Sequence, residues 1–500
     1  MEHGKSIDNK INIANAKHFW SYLLSIKTYI FTVLVCGLCC VGYVTIRYNY
    51  LFGLAFGLLP LGVCAALAGL QRPKVVFYAL FTLNYFIMGI GRYSMGSSFP
   101  FGTLIDIIIG YMALVLIIQR IFFREYLKWK NLNNRFSLLS FVWLLYTFFQ
   151  LFNPSSVTAA WASAFRGIAF YMFAVAVIAP IVINRFKDFT TIMFIWSVFT
   201  VLAVLKALIQ KFVGFDFAES YWLFALGGKL THIIDYGIRY FSFFTDAANF
   251  GAAMAMSMTV FSICALFVKW KLKVWFIFVS ILAFYGMLIS GTRAALAVPF
   301  VGYTILVFLS KKPKTIITFS CSILVLFVFL NYTHLGSGNV LVRRMRSALN
   351  ANDPSMIVRY NNQAKLKVYM DDKPFGVGLG LGGVKALRYT PYSYVASIPT
   401  DSWYVMLWVE TGIVGLVLNL LIMFYILGYG AYQVLFRLKN PLLRGLNIAL
   451  IGGCSGMVVA SYANEILGQF PNGIIIYTSM AMIFMSPIFD KELSETKELS

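Results

Sequence analysis

Apolar residues in this chain run in uninterrupted blocks of about 17 to 25 positions, separated by short clusters of charge. A helix rises 1.5 Å per residue, so about 20 residues cross about 30 Å of hydrocarbon. Backbone groups in lipid must bond within their own segment. The blocks are therefore predicted to be membrane-spanning helices, about fourteen in all, at 28–46, 51–70, 75–90, 102–119, 136–152, 168–184, 190–212, 247–268, 274–290, 292–310, 315–332, 402–430, 443–463 and 471–489. The block at 402–430 exceeds one crossing, so a short outer helix from Asp401 to Glu410 is expected before the span proper. The fold class is an all-α polytopic membrane protein with one large, partly helical loop.

Composition agrees with the pattern. Hydrophobic residues make up 60% of the 500, aromatic residues 17% and charged residues 12%, against about a quarter charged in an ordinary soluble domain. The polar opening, with Lys5, Lys10, Lys17 and Lys27, precedes a block too long for a signal-peptide core, which reads as an uncleaved first span. With the amino terminus placed in the cytoplasm, every second short loop is basic, as the positive-inside rule asks. The chain then divides into a cytoplasmic tail (1–27), a first group of spans (28–332), an outer loop (333–400), an outer helix with the last spans (401–489) and a cytoplasmic tail (490–500). All seven cysteines fall in predicted spans, where they read as small packing residues, and metal-ligand spacing is absent.

The remaining basic residues are those the positive-inside rule does not require. They include Arg92, Arg166, Lys206, Arg239, Arg293, Arg359 and Lys385, and many of them sit in the outer loops 213–245 and 333–399 or at helix ends beside these. An outer face that gathers arginines suits an anionic ligand; a solvated or headgroup-binding loop is the plainer alternative. Within the larger loop, Asp353-Pro354 reads as a helix start, and 355–370 continues as an amphipathic helix. Its apolar stripe would be Ile357, Tyr360, Ala364 and Val368, suited to resting on the outer leaflet, with Arg359, Lys365 and Lys367 on or near the other side.

Four places concentrate polar groups at the membrane border, where they are costly and by default functional. Arg166, in AFRGIAFYM, stands at the outer end of the sixth span, either as a ligand or as an interfacial anchor. In RYFSFFTDAANFG, Arg239 precedes Asp246 and Asn249, whose spacing shares one helix face unless Asp246 only caps the helix. The turn SGTRAAL carries Ser290 and Arg293. Arg293 has no acidic neighbour in sequence, so it either grips a phosphate or pyrophosphate with a two-pronged hydrogen bond or pairs with Asp106 or Glu465 on another span. The segment KPFGVGLGLGGV, with Gly376 and Gly378, lacks the spacing of a nucleotide loop, and its glycines would let the backbone approach the membrane face or a ligand closely. It leads to PTDSWYVMLWVETGIVG, where Asp401 beside Ser402 is a helix cap or a general base.

In order and placement these motifs resemble the O-antigen ligase and O-antigen polymerase superfamily of bacterial membrane glycosyltransferases. SGTRAAL is similar to the family's turn with a central arginine, RYFSFFTDAANFG to its helix start with asparagine, KPFGVGLG to its Pro-x-Gly-x-Gly loop, and DSWYVMLWVETGIVG to the helix after it. The resemblance implies transfer of a glycan from an undecaprenyl-pyrophosphate carrier to a hydroxyl of a glycan or lipid-linked acceptor, at the periplasmic face of the inner membrane, without cofactor or metal. Arg293 and Arg166 would bind the pyrophosphate, assisted by Arg239 or Arg359. A flippase and a chain-length regulator are implied companions; nucleic acid is not. Ligases of the family carry a His-Asn pair where this chain has Asp401-Ser402, so Asp401, its pKa raised by partial burial, or His334 or His232 would act as base. That departure favours a polysaccharide polymerase. A lipid-linked oligosaccharide flippase or other transporter is the competing class, although no repeated halves are visible.

Overall fold

The computed structural model describes residues 31, 35, 37, 62–93, 101–122, 127–234, 237–311, 313–335, 338, 342, 343, 346 and 354–498. The described residues are mostly helical: α1 Gly62–Gln71, α2 Pro73–Arg92, α3 Gly102–Phe122, α4 Arg135–Phe152, α5 Thr158–Val182, α6 Phe186–Phe212, α7 Ala247–Ala265, α8 Trp270–Ser290, α9 Arg293–Ser310, α10 Pro313–Tyr332, α11 Pro354–Met370, α12 Trp403–Arg437, α13 Pro441–Ala460 and α14 Asn472–Glu495. Eleven of these are long and apolar enough to cross a membrane, and α1 and the core of α10 are shorter apolar helices. Strand is confined to a two-stranded antiparallel hairpin, Ile233–Ile234 with Gly237–Ile238, among the described residues. The expected span at 28–46, most of that at 51–70, the Asp353 cap and much of 336–353 lie outside the described residues.

Contacts group the chain into two units, Met1–Ala79 with Ile107–Lys128 and Leu80–Asp106 with Trp129–Ser500. In the first, the Tyr111 hydroxyl donates to the Ala66 carbonyl and the Gln119 amide to that of Leu70 at 2.5 Å. The polar motifs lie in the second.

Its centre is built from α7, α13 and α14, the helices buried nearly all round. α7 packs on α8 and α13, α9 on α13, and α14 on α5. Lipid tails are as apolar as leucine, so membrane helices gain by close packing of small residues. α13 supplies them: a Cβ at Gly456 would lie 2.6 Å from the Val298 carbonyl oxygen of α9, and one at Gly452 would lie 3.0 Å from that of Gly302.

α12 contains the outer helix expected from the length of its block. Residues 403–411 form that helix, and Gly412, at φ 70° and ψ −177°, breaks it from the span beyond. A break strips carbonyls of their helical partners, and each would be costly if left bare in apolar surroundings. The glycine loop fills the gap: Val377 N donates to Val409 O at 2.9 Å and Gly378 N to Glu410 O at 3.1 Å. The Tyr146 hydroxyl donates to Thr411 O at 2.7 Å, and beyond the break Val414 N donates to Pro374 O at 3.3 Å. Gln150 and Asn153, at the end of α4, hold the Phe375 carbonyl at 3.1 and 3.3 Å.

α11 packs on the protein through a face that the sequence did not single out. That face carries Leu366 and Met370, which join Val377, Leu381, Val395, Ile398, Val405 and Val409 in a core beneath the loop. The stripe expected to rest on the outer leaflet is exposed at Ile357, Tyr360 and Val368. Arg359 is half-buried on the side of Leu366, one heptad away, and Lys365 and Lys367 are exposed.

Gly412→Ala should be strongly destabilising, because a Cβ there would overlap the Pro374 carbonyl oxygen and the backbone conformation is one that only glycine adopts freely. We expect a loss of about 3 kcal/mol or more, read as a fall in the thermal midpoint of the detergent-solubilised protein. A wild-type midpoint would contradict this account of the break.

Candidate functional site

Contacts between distant segments bring several of the polar motifs together. The first assembly surrounds the start of α7. Asp246 is its N-cap: Oδ1 accepts from Asn249 N at 2.8 Å and Oδ2 from the Asn249 side-chain amide at 2.9 Å. The capping alternative therefore holds for Asp246, which stands before the helix rather than on a face of it. Asn249 is buried, and its carbonyl and side-chain oxygens both accept from Asn472 Nδ2 at 3.1 Å.

The SGTR turn closes over the same helix start. Thr292 Oγ1 donates to Ala247 O at 2.8 Å, and the buried Ser290 hydroxyl donates to Met287 O at 2.7 Å while accepting from Thr292 N. Arg239 binds the turn, donating from Nε to Ser290 O at 3.3 Å and from an Nη to Thr292 Oγ1 at 3.1 Å; its other Nη reaches Thr231 O at 3.1 Å. All three acceptors are neutral. Burial pulls the Arg239 pKa below the usual arginine range; the Asp246 charge works against that and the neighbouring Arg293 charge adds to it. Arg239 and Arg293 are thus brought close enough to repel. Neighbouring guanidinium groups have the charge and the hydrogen-bonding geometry that a multiply charged anion would need.

The chain entering Asp246 is held from beneath. Arg92, the last residue of α2, is 8% exposed, donates to Ser242 O at 2.8 Å, to Phe244 O and to Thr245 O, and lies over the rings of Phe241 and Trp222 at 4.4 and 4.8 Å. His232 acts similarly: its Nε2 accepts from Ala247 N at 3.1 Å and its Nδ1 lies 3.0 Å from Gly228 O. Burial lowers the His232 pKa to about 4, so the ring is neutral and committed to structure. It is not a spare base.

The second assembly joins the glycine loop, Asp401 and the turn between α13 and α14. Glu465, in that turn, accepts from Thr400 Oγ1 at 2.9 Å and pairs with Lys385 Nζ at 2.6 Å. Burial opposes the Lys385 charge, but Glu465, with smaller help from Asp246 and Glu410, holds its pKa above the usual lysine value. Lys385 therefore feels both the cap of α7 and this turn, which ties the two assemblies together. Glu410 is buried, with Oε1 accepting from Gly382 N at 3.4 Å and Oε2 without a partner among the described residues.

Ser402 caps α12, accepting from Val405 N at 3.5 Å. Asp401 does not cap it. It is exposed, its backbone is left-handed at φ 50°, and its side chain has no hydrogen-bond partner among the described residues. The partial burial expected for a base is absent at this position. Gly376 and Gly378 approach protein backbone closely: a Cβ at Gly376 would lie 2.5 Å from Gly412 N, and one at Gly378 would lie 3.3 Å from the Ser156 Cα.

Arg166 lies inside α5, at the start of a π-helical turn, Arg166–Phe170, rather than at the outer end of a span. The helix begins at Thr158, earlier than expected, because the small and apolar residues 158–165 continue it. Asp106 pairs with Arg166 at 2.5 Å and accepts from the Tyr171 hydroxyl at 2.7 Å, so the charge of Arg166 is balanced within the protein. The two carboxylates considered as partners for Arg293 are thus paired elsewhere, Asp106 with Arg166 and Glu465 with Lys385. His334, after α10, is exposed.

In the sequence, Arg92 and Lys385 stood out only among the outer basic residues suited to an anionic ligand, Glu410 had no role, and Glu465 was considered only as a partner of Arg293. Their signals were slight: an arginine at the end of a span, and a lone acid in the short turn between the last two.

Comparison with known proteins bears directly on this assembly. An O-antigen ligase family model matches residues 278–420, a stretch that contains the SGTR turn, the glycine loop, Asp401 and the break at Gly412, but neither Arg239 nor Asp246. An O-antigen polymerase of Salmonella muenchen is 22% identical over 291 residues, covering 54% of this chain and 68% of that protein. Both matches are to proteins of O-antigen ligation or polymerisation, and they agree with the resemblance carried by the motifs.

Proposed function

We propose that the protein transfers a glycan from an undecaprenyl-pyrophosphate carrier to an acceptor hydroxyl at the periplasmic face of the bacterial inner membrane. It would act as a polymerase joining lipid-linked repeat units, or as a ligase moving a finished chain. The observation that carries this reading is the pairing of Arg239 and Arg293 across the SGTR turn, where the hydrogen bonds of Arg239 go to neutral oxygens. The bond from the anomeric carbon to the pyrophosphate oxygen breaks, negative charge grows on the leaving diphosphate, and fixed guanidinium groups stabilise it. A bond forms from the acceptor oxygen to the anomeric carbon, and the hydroxyl proton passes to a base.

Asp401 is the base we propose, as an exposed carboxylate beside the cap of α12 and next to the Thr400–Glu465–Lys385 contacts. Its strained backbone fits a functional position. Arg166 then serves to fix α5 through Asp106, and Arg359 remains a candidate for contact with the glycan from the inward side of α11. Gly376, Gly378, Ser290, Ser402, Asp246 and Asn249 shape the site through the backbone contacts described above. The name of the Salmonella relative favours polymerisation. Transport of a lipid-linked oligosaccharide is the competing reading, and the gathering of charge at one end of the spans, instead of near their middle, supports transfer over it.

Purified protein given a lipid-pyrophosphate-linked glycan should elongate or transfer it without nucleotide and in the presence of a metal chelator. Arg293→Ala should lower turnover by about 10²- to 10³-fold, the usual loss when one charge-stabilising group is removed, while membrane insertion stays normal. Full turnover in both Arg293→Ala and Asp401→Ala would refute the assignment. A reporter fused within 371–399 should read out on the periplasmic side; a cytoplasmic readout would remove the pyrophosphate argument.

A further inference from the structure

At the end of the unit away from the long loops, a cavity of about 660 Å³ is lined by α4, α12 and the proline of α14. Arg135 opens α4 and Arg437 closes α12, so both guanidinium groups stand where candidate membrane spans meet the polar boundary. The tyrosines of α12 hold them: Arg135 donates to the Tyr425 hydroxyl at 2.5 Å and lies over the Tyr429 ring at 5.0 Å, and Arg437 lies over Tyr432 at 5.9 Å. Among the described residues neither arginine forms an ion pair.

Gln433 lines the same cavity. It is 1% exposed, and neither its amide nitrogen nor its amide oxygen has a hydrogen-bond partner among the described residues. An amide buried without a partner costs about 1 to 3 kcal/mol, which an occupant able to both donate and accept would recover. The same occupant must carry negative charge for the two arginines and apolar surface for the aromatic walls. Gly428 leaves room for it, since a Cβ there would meet nothing within 4 Å.

We propose that this cavity is a binding site for the headgroup of an anionic phospholipid. The phosphodiester lies between Arg135 and Arg437, the Gln433 amide bonds the glycerol or ester region, and an acyl chain passes over Gly428 along α12. Headgroup phosphates stand at the depth of these span ends, and a basic site there selects anionic lipid. This site is separate from the assembly around Arg239 and Arg293 and does not depend on the reaction proposed for it.

The test is native mass spectrometry of the full-length protein in detergent, incubated with equal amounts of phosphatidylglycerol and phosphatidylcholine. Phosphatidylglycerol should be retained about tenfold in preference, equivalent to 1.4 kcal/mol. Arg135→Gln with Arg437→Gln should abolish the preference. Gly428→Leu, which keeps both charges but fills the space, should reduce retention of phosphatidylglycerol by a similar factor, and it stands as an independent probe if the double variant fails to fold. Glycerol 3-phosphate should not compete. Equal retention of the two lipids, or unchanged retention in Gly428→Leu, would overturn the site; competition by glycerol 3-phosphate would show an aqueous phosphate site and overturn the lipid assignment.

Discussion

A charge or backbone polar group taken out of water must find a partner, and in a chain this apolar the partners are scarce. At the loop end of the protein, backbone carbonyls and amides supply most of them. Arg92 is buried because three carbonyls of 242–245 and two aromatic rings receive it. The break in α12 survives because the Pro374–Gly378 backbone takes over the bonds the helix gives up. The same exchange that satisfies the backbone fixes where the side chains stand: the start of α7, the SGTR turn and the glycine loop are each pinned by bonds to a different span.

Charge balance then sorts the arginines. Arg166 has Asp106, and Lys385 has Glu465. Arg239 is spread over neutral oxygens, and its nearest strong electrostatic influences are the cap carboxylate of Asp246 and the like charge of Arg293. The Asp246 carboxylate supports the charge of Arg239 and Arg293 opposes it, and on the proposed reading an anion of high charge density adds to that support. A diphosphate has the charge and the spread of oxygens to span two guanidinium groups.

The spans were legible in the sequence because length and hydropathy alone decide them, and the outer helix of α12 was legible because its block was too long for one crossing. Asp246 as a cap was readable from its place before an apolar run. Less legible was everything set by contact between distant segments. The face α11 buries depends on Leu366 and Met370 meeting the loop core, and four apolar residues at helical spacing pointed to the opposite side. A base at Asp401 with a raised pKa called for partial burial, yet Ser402 takes the cap and Asp401 is exposed. The structural roles of Arg92 and Glu465 depend on partners far away in sequence, which the sequence did not identify.

The central claim is that Arg239 and Arg293 together receive the diphosphate of a lipid carrier. An electron cryomicroscopy map of the protein, prepared with a lipid-pyrophosphate-linked glycan, tests it most directly. The account requires density for the diphosphate between these two guanidinium groups, at the mouth of α7 and against the SGTR turn. Diphosphate density seated elsewhere, with Arg239 and Arg293 unmoved and bridged by protein groups, would contradict it.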